Sequence, residues 1–138
     1  ISGFMVKMEL TKKSLRELER MVGENRLSSI QLIFTEQCDL ALGELSEKLR
    51  DIIDECIFNN IEVEVENIPY CFMVGYKRYI KEIKSGRKVK LERCRECKHY
   101  KECSGIWKEY IEGHGDKEIT PITGKYLITD NERCMVEI

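Results

Sequence analysis

Three cysteines in the run Cys94-Arg-Glu-Cys97-Lys-His-Tyr-Lys-Glu-Cys103 constrain this chain more than any other feature. A C-x2-C-x5-C loop is too tight to give three cysteines three separate disulfide partners. It suits a single metal centre, because the C-x2-C pair turns two sulfurs toward one point and the longer step returns a third. The fourth ligand then comes from elsewhere, and Cys71 and Cys134 are the candidates. The loop is basic and runs into an aromatic segment, Ser104-Gly105-Ile-Trp107-Lys-Glu-Tyr110, expected to be helical with Trp107 and Tyr110 on one face, shielding the centre.

The 138 residues suffice for one domain with a core, or for a core plus a small metal-bound appendage. Hydrophobic residues at 42% and charged residues at 35% are a globular balance. No apolar run reaches membrane-spanning length and no secretory leader is visible, so no membrane is expected, and seven cysteines read as cytoplasmic thiols and metal ligands. The chain opens Ile1-Ser2-Gly3-Phe4 and moves at once into strand-like sequence, as a piece of something longer does.

The first half reads as β-α-β-α-β. Phe4, Val6, Met8 and Leu10 alternate as a strand. Thr11 caps a helix with Leu15, Leu18 and Val22 on one face. Residues 30–34 form a buried strand. After Gly43, with Ser46 as a candidate cap, Leu45, Leu49, Ile52, Ile53, Cys56 and Ile57 mark a second helix that stops at Asn59-Asn60. Ile61, Val63 and Val65 alternate as a third strand. Crossovers of this length give a parallel sheet whose functional groups gather at the carboxyl ends of the strands, where Cys38 and Cys71 lie. A helix with Phe72, Tyr76, Tyr79/Ile80 and Ile83 on one face is expected next, then a short strand at 88–91. A short helix is expected over 129–138. The composition shifts near residue 70, dividing the chain into 1–69, an α/β region, and 70–138, a cysteine-rich region.

From spacing alone two metals compete. One is a [4Fe-4S] cluster on Cys71, Cys94, Cys97 and Cys103, its charge partly neutralised by Arg93, Arg95, Lys98 and Lys101. The other is zinc on Cys94, Cys97 and Cys103 with Cys71, His99 or Cys134, although structural zinc sites usually pair two knuckles and this chain has one. Cys38 and Cys56 read as buried fillers, and Cys134 more as core than as ligand.

The stretch Cys94-x2-Cys97-x5-Cys103-Ser-Gly105-x4-Glu109-Tyr110-x4-Gly115-Asp-Lys-Glu118-x2-Pro121-Ile122 resembles the C-terminal segment of radical SAM proteins, particularly archaeal members related to the SPASM/twitch group. Asn67-Ile-Pro69-Tyr-Cys71 resembles the junction between the last barrel strand and the first auxiliary-cluster cysteine. The resemblance is most specific over 67–122 and topological over 1–66. It implies the second half of a partial (β/α)6 barrel followed by an auxiliary [4Fe-4S] site on Cys71, Cys94, Cys97 and Cys103, used for electron transfer or substrate binding. Substrates in the family are often peptides, proteins or cofactor precursors. Trp107 stands where a full SPASM motif has a further cysteine, so the pattern is closer to a one-cluster, twitch-like site. The chain also lacks the C-x3-C-x2-C that cleaves S-adenosylmethionine, so it is not expected to be an active enzyme alone, and that cofactor enters only with an N-terminal half.

Residues 77–103 hold eleven Lys/Arg against four Glu, a local +7 in a chain of net charge -2. The stretch from Lys77 to Lys101 therefore supports an alternative, a non-catalytic zinc module that contacts nucleic acid or a protein partner. A third is a scaffold whose metal only staples the tail. The open sheet edges of half a barrel would permit a homo-oligomer.

Overall fold

The computed structural model describes residues 4–24, 27–123, 126–128 and 135–137. Its centre is a parallel sheet wound in sequence order. Strand β1 (Phe4–Glu9), helix α1 (Lys12–Gly23), strand β2 (Leu27–Ile33), helix α2 (Leu42–Phe58) and strand β3 (Glu62–Glu66) follow as the alternation and helical spacing predict. The register aligns Val6, Ile30 and Val63 in one row and Met8, Leu32 and Val65 in the next. These rows face the helices, which bury Leu15, Leu18 and Val22 from α1 and Leu45, Leu49, Ile52, Ile53 and Cys56 from α2. The two helices pack against each other on one face, as successive crossovers of the same hand require. The opposite face carries the rows Lys7, Gln31, Glu64 and Glu9, Ile33, Glu66. There the Gln31 amide donates to Glu64 and Glu66.

Thr11 caps α1 in a reciprocal box: its Oγ1 accepts from the Ser14 N–H at 3.0 Å, and the Ser14 Oγ accepts from the Thr11 N–H at 2.9 Å. Ser46 does not cap α2. The helix begins at Leu42, and Ser46 lies buried inside it, donating to the Gly43 carbonyl.

The helix expected after Cys71 is absent. Two 3-10 turns, Tyr70–Phe72 and Lys77–Tyr79, lead to a fourth strand, β4 (Ile80–Lys81), parallel to β3. Pro69 begins the first turn and Gly75, at φ +88°, breaks the path that a helix would need. Phe72, Tyr76 and Ile80 mimic helical spacing because all three turn into the core. The sheet thus has the order β1-β2-β3-β4 and continues past residue 69.

Beyond it, β5 (Lys88–Val89) pairs antiparallel with β6 (Ile106–Trp107), and α3 (Lys108–His114) follows directly. The tail pairs β7 (Tyr126–Ile128) with β8 (Met135–Glu137), so the helix expected over 129–138 is replaced by strand at 135–137. Backbone pairing with β7 takes Met135, Val136 and Glu137, whose short run is too brief for a stable helix alone. Among the described residues no helix is long and apolar enough to cross a membrane.

Candidate metal centre

Three separate segments bring thiols to one cavity. Cys71 sits in the 3-10 turn that leaves the carboxyl end of β3, where a parallel sheet gathers its functional groups. The turn is tied to α2 by the Arg50 guanidinium, which donates to the Phe72 carbonyl at 2.8 Å. Tyr76, just beyond, donates its hydroxyl to the Asp54 carboxylate at 3.0 Å. Cys94 lies in a third 3-10 turn, Glu92–Glu96. The Cys97 N–H closes that turn on the Cys94 carbonyl at 2.9 Å, so the C-x2-C spacing places both side chains on one bend. A further turn follows, in which the Cys103 N–H donates to the His99 carbonyl at 2.9 Å. The Cys103 Sγ itself accepts from the Gly105 N–H at 3.3 Å.

Cys71, Cys94, Cys97 and Cys103 all line this cavity, a small hollow of about 30 Å3. Tyr70, Val89, Tyr100, Ile106, Ile119 and Pro121 make up its apolar wall. Burial raises the Cys71 thiol to about 12, with the charges of Cys103, Cys97 and Cys94 adding to the effect. Burial likewise lifts Cys103 to about 11, against the lowering by the Gly105 N–H. A metal binding here displaces those protons.

His99 also lines the cavity. Its Nδ1 is buried and has no hydrogen-bond partner; the nearest carboxylate oxygen, Glu102 Oε1, stands at 3.5 Å. A buried, unsatisfied nitrogen is costly unless a further group meets it. The donor chemistry, four thiols around an apolar hollow, fits a soft metal centre. No group of three or more His, Cys, Asp or Glu among the described residues is drawn together closely enough to hold a metal ion. Cys134 lies outside the described residues. Cys38 and Cys56 are buried elsewhere in the core, and burial pushes the Cys56 thiol up to about 12.

The aromatic residues act differently from the expectation. Trp107 precedes α3, and neither it nor Tyr110 lines the cavity. Trp107 Nε1 donates to the Phe34 carbonyl at 2.9 Å. Tyr110 Oη accepts from the Leu42 N–H at 2.7 Å and packs edge-on against Phe34. Both therefore fasten the segment after the cysteines to the end of β2 and the start of α2. Arg93 fastens its other side, donating to the Ile119 carbonyl at 2.8 Å and to the Asp116 carbonyl.

Sequence reasoning missed Lys88. Its side chain is wholly buried, and its Nζ donates to Asn67 Oδ1 at 2.5 Å, to the Ile83 carbonyl at 2.8 Å and to Ser104 Oγ at 2.8 Å. Three acceptors for three N–H bonds match an ammonium, since a neutral amine has only two to give. Glu82 Oε2 stands 3.6 Å away, and Nζ lies 5.0 Å from the centre of the Trp107 ring. Burial lowers the Lys88 pKa while Glu82 holds it up. The available signal was Asn67, a residue that tolerates the positive φ of +73° it adopts at the strand end.

The basic stretch is largely engaged within the molecule. Lys77 pairs with Glu102 at 2.5 Å, and Arg87 bridges Glu36 and Glu109 at 2.9 and 2.8 Å. Lys90 donates to the Tyr100 carbonyl, and Arg95 lies 3.6 Å from Glu92. Of the four basic residues expected around the thiols, Arg93, Arg95, Lys98 and Lys101, none lines the cavity; Lys90 does. Compared with protein-family models, curated proteins and solved structures, the chain finds no match.

Proposed function

We propose that the chain holds an iron–sulfur cluster through Cys71, Cys94, Cys97 and Cys103 and forms the auxiliary-cluster part of a radical SAM-like enzyme. One observation carries this: four thiols from three segments line a single cavity. A lone zinc needs its donors about 2.3 Å from one point. A cluster is a larger body that takes thiolates spread around it. A sheet wound in the order β1-β2-β3-β4 with helices on one face is also what part of an α/β barrel looks like.

Bound there, a cluster supplies one-electron transfer, and four thiolate ligands favour that use over substrate binding at an open iron. The chain's own residues shape the site: Tyr70, Tyr100 and Ile106 restrict water, and the Gly105 N–H points at the Cys103 sulfur. By resemblance the substrate is a peptide, protein or cofactor precursor, and radical generation belongs to residues this chain does not contain.

The test is iron, sulfide and zinc per chain after anaerobic reconstitution, for wild type and Cys71→Ala. About four irons and four sulfides in the wild type are expected, with a cluster lost or labile in the variant. One zinc and no sulfide would overturn the proposal in favour of a zinc module.

A further inference from the structure

We infer that Lys88 and Glu82 are a pair of positioning residues that set the electrostatic potential at the Cys103 corner of the site, Glu82 lowering and Lys88 raising the reduction potential of the cluster. This rests on the iron–sulfur assignment above. The two side chains are dry, 0% and 6% exposed, so water screens them weakly. Glu82 Oε1 approaches the Cys103 Sγ to 3.9 Å, while Glu82 Oε2 accepts from the Ser104 hydroxyl. Lys88 lies behind, bonded to the same hydroxyl and to Asn67 and Ile83. The network joins the end of β3, the segment after β4 and the residue following Cys103.

Reduction adds one electron to the cluster and breaks no bond. A fixed carboxylate beside a ligating sulfur opposes that added charge, and a fixed ammonium favours it. Glu82 touches the sulfur directly and is expected to have the larger effect. A scaffold that merely held the loop would show no such sign dependence, because loosening it from either side would disturb the cluster alike.

The experiment uses the full chain, reconstituted anaerobically and titrated with dithionite against redox dyes. Iron and sulfide content is measured first. Glu82→Gln is expected to shift the redox equilibrium about tenfold toward the reduced form, 59 mV for a one-electron couple. Lys88→Met is expected to shift it in the opposite direction. The double variant Lys88→Met/Glu82→Gln, which removes both charges and strands neither, should fall between the single variants. Should Lys88→Met alone not fold, the comparison of Glu82→Gln with the double variant decides: a higher potential in Glu82→Gln than in both wild type and double variant supports the inference. Equal potentials, or shifts of one sign in both single variants, overturn it and leave the cluster assignment intact. A wild type without iron and sulfide overturns both.

Discussion

At Gly105 the backbone adopts φ +96°, and a Cβ there would stand 2.5 Å from the Val89 carbonyl oxygen and 2.8 Å from its carbon. Neither contact can be relieved by rotating a side chain, because both partners are backbone of the adjoining strand. Gly105→Ala is therefore expected to cost about 2–4 kcal/mol, from left-handed strain plus overpacking, read as a lower denaturant midpoint at unchanged slope. It would also displace the N–H that meets the Cys103 sulfur. The cysteines themselves were legible as residues: a C-x2-C is a local device, and each of its sulfurs is positioned by the turn it sits in. Cys71 was legible because strand ends in parallel sheets collect functional groups. Lys88 was not, because its three acceptors, the nearby Ile83 and the more remote Asn67 and Ser104, lie on separate segments that no spacing rule connects.

Among the elements, β6 and α3 show how the cysteine segment is joined to the sheet. Trp107 reaches the Phe34 carbonyl just past the end of β2, in the buried centre of the molecule. Trp107→Phe keeps most of the ring contact but leaves that carbonyl without a donor, a loss of about 1–3 kcal/mol. Thermal unfolding followed by far-ultraviolet circular dichroism measures it. A melting temperature equal to wild type would mean that water replaces the indole. Helices α1 and α2 were readable from their apolar faces and, for α1, from the Thr11 cap. The segment from Tyr70 to Lys81 was not, since Phe72, Tyr76 and Ile80 satisfy a helical period while the backbone makes two short turns and a strand. Periodicity records which side chains face the core; Gly75 and Pro69 decide how the chain gets them there.

For the molecule as a whole, the cavity wall is held by protein bonds. Lys88, Trp107, Tyr110 and Arg93 tie residues 83–122 to the sheet and to one another without any contribution from the thiols. Removing metal with a chelator is thus expected to leave the circular dichroism and the protease-resistant core unchanged. New cleavage between residues 85 and 115 would show that the metal, and not the buried network, organises the segment. This differs from the small metal-stapled tail that the cysteine spacing alone suggests, in which apo protein unfolds.

The Lys88 network also bears on how such a chain can diverge. Arg95, Glu96, Lys98 and Lys101 lie exposed between the cysteines, whereas Lys88, Asn67, Ser104 and Gly105 are bound to one another's geometry. Descendants of this fold would keep an Asn at the strand end, a buried Lys and a Cys-Ser-Gly step together, or exchange them together. A chain with the cysteine spacing but a neutral residue at position 88 would have to close the same hollow by another route.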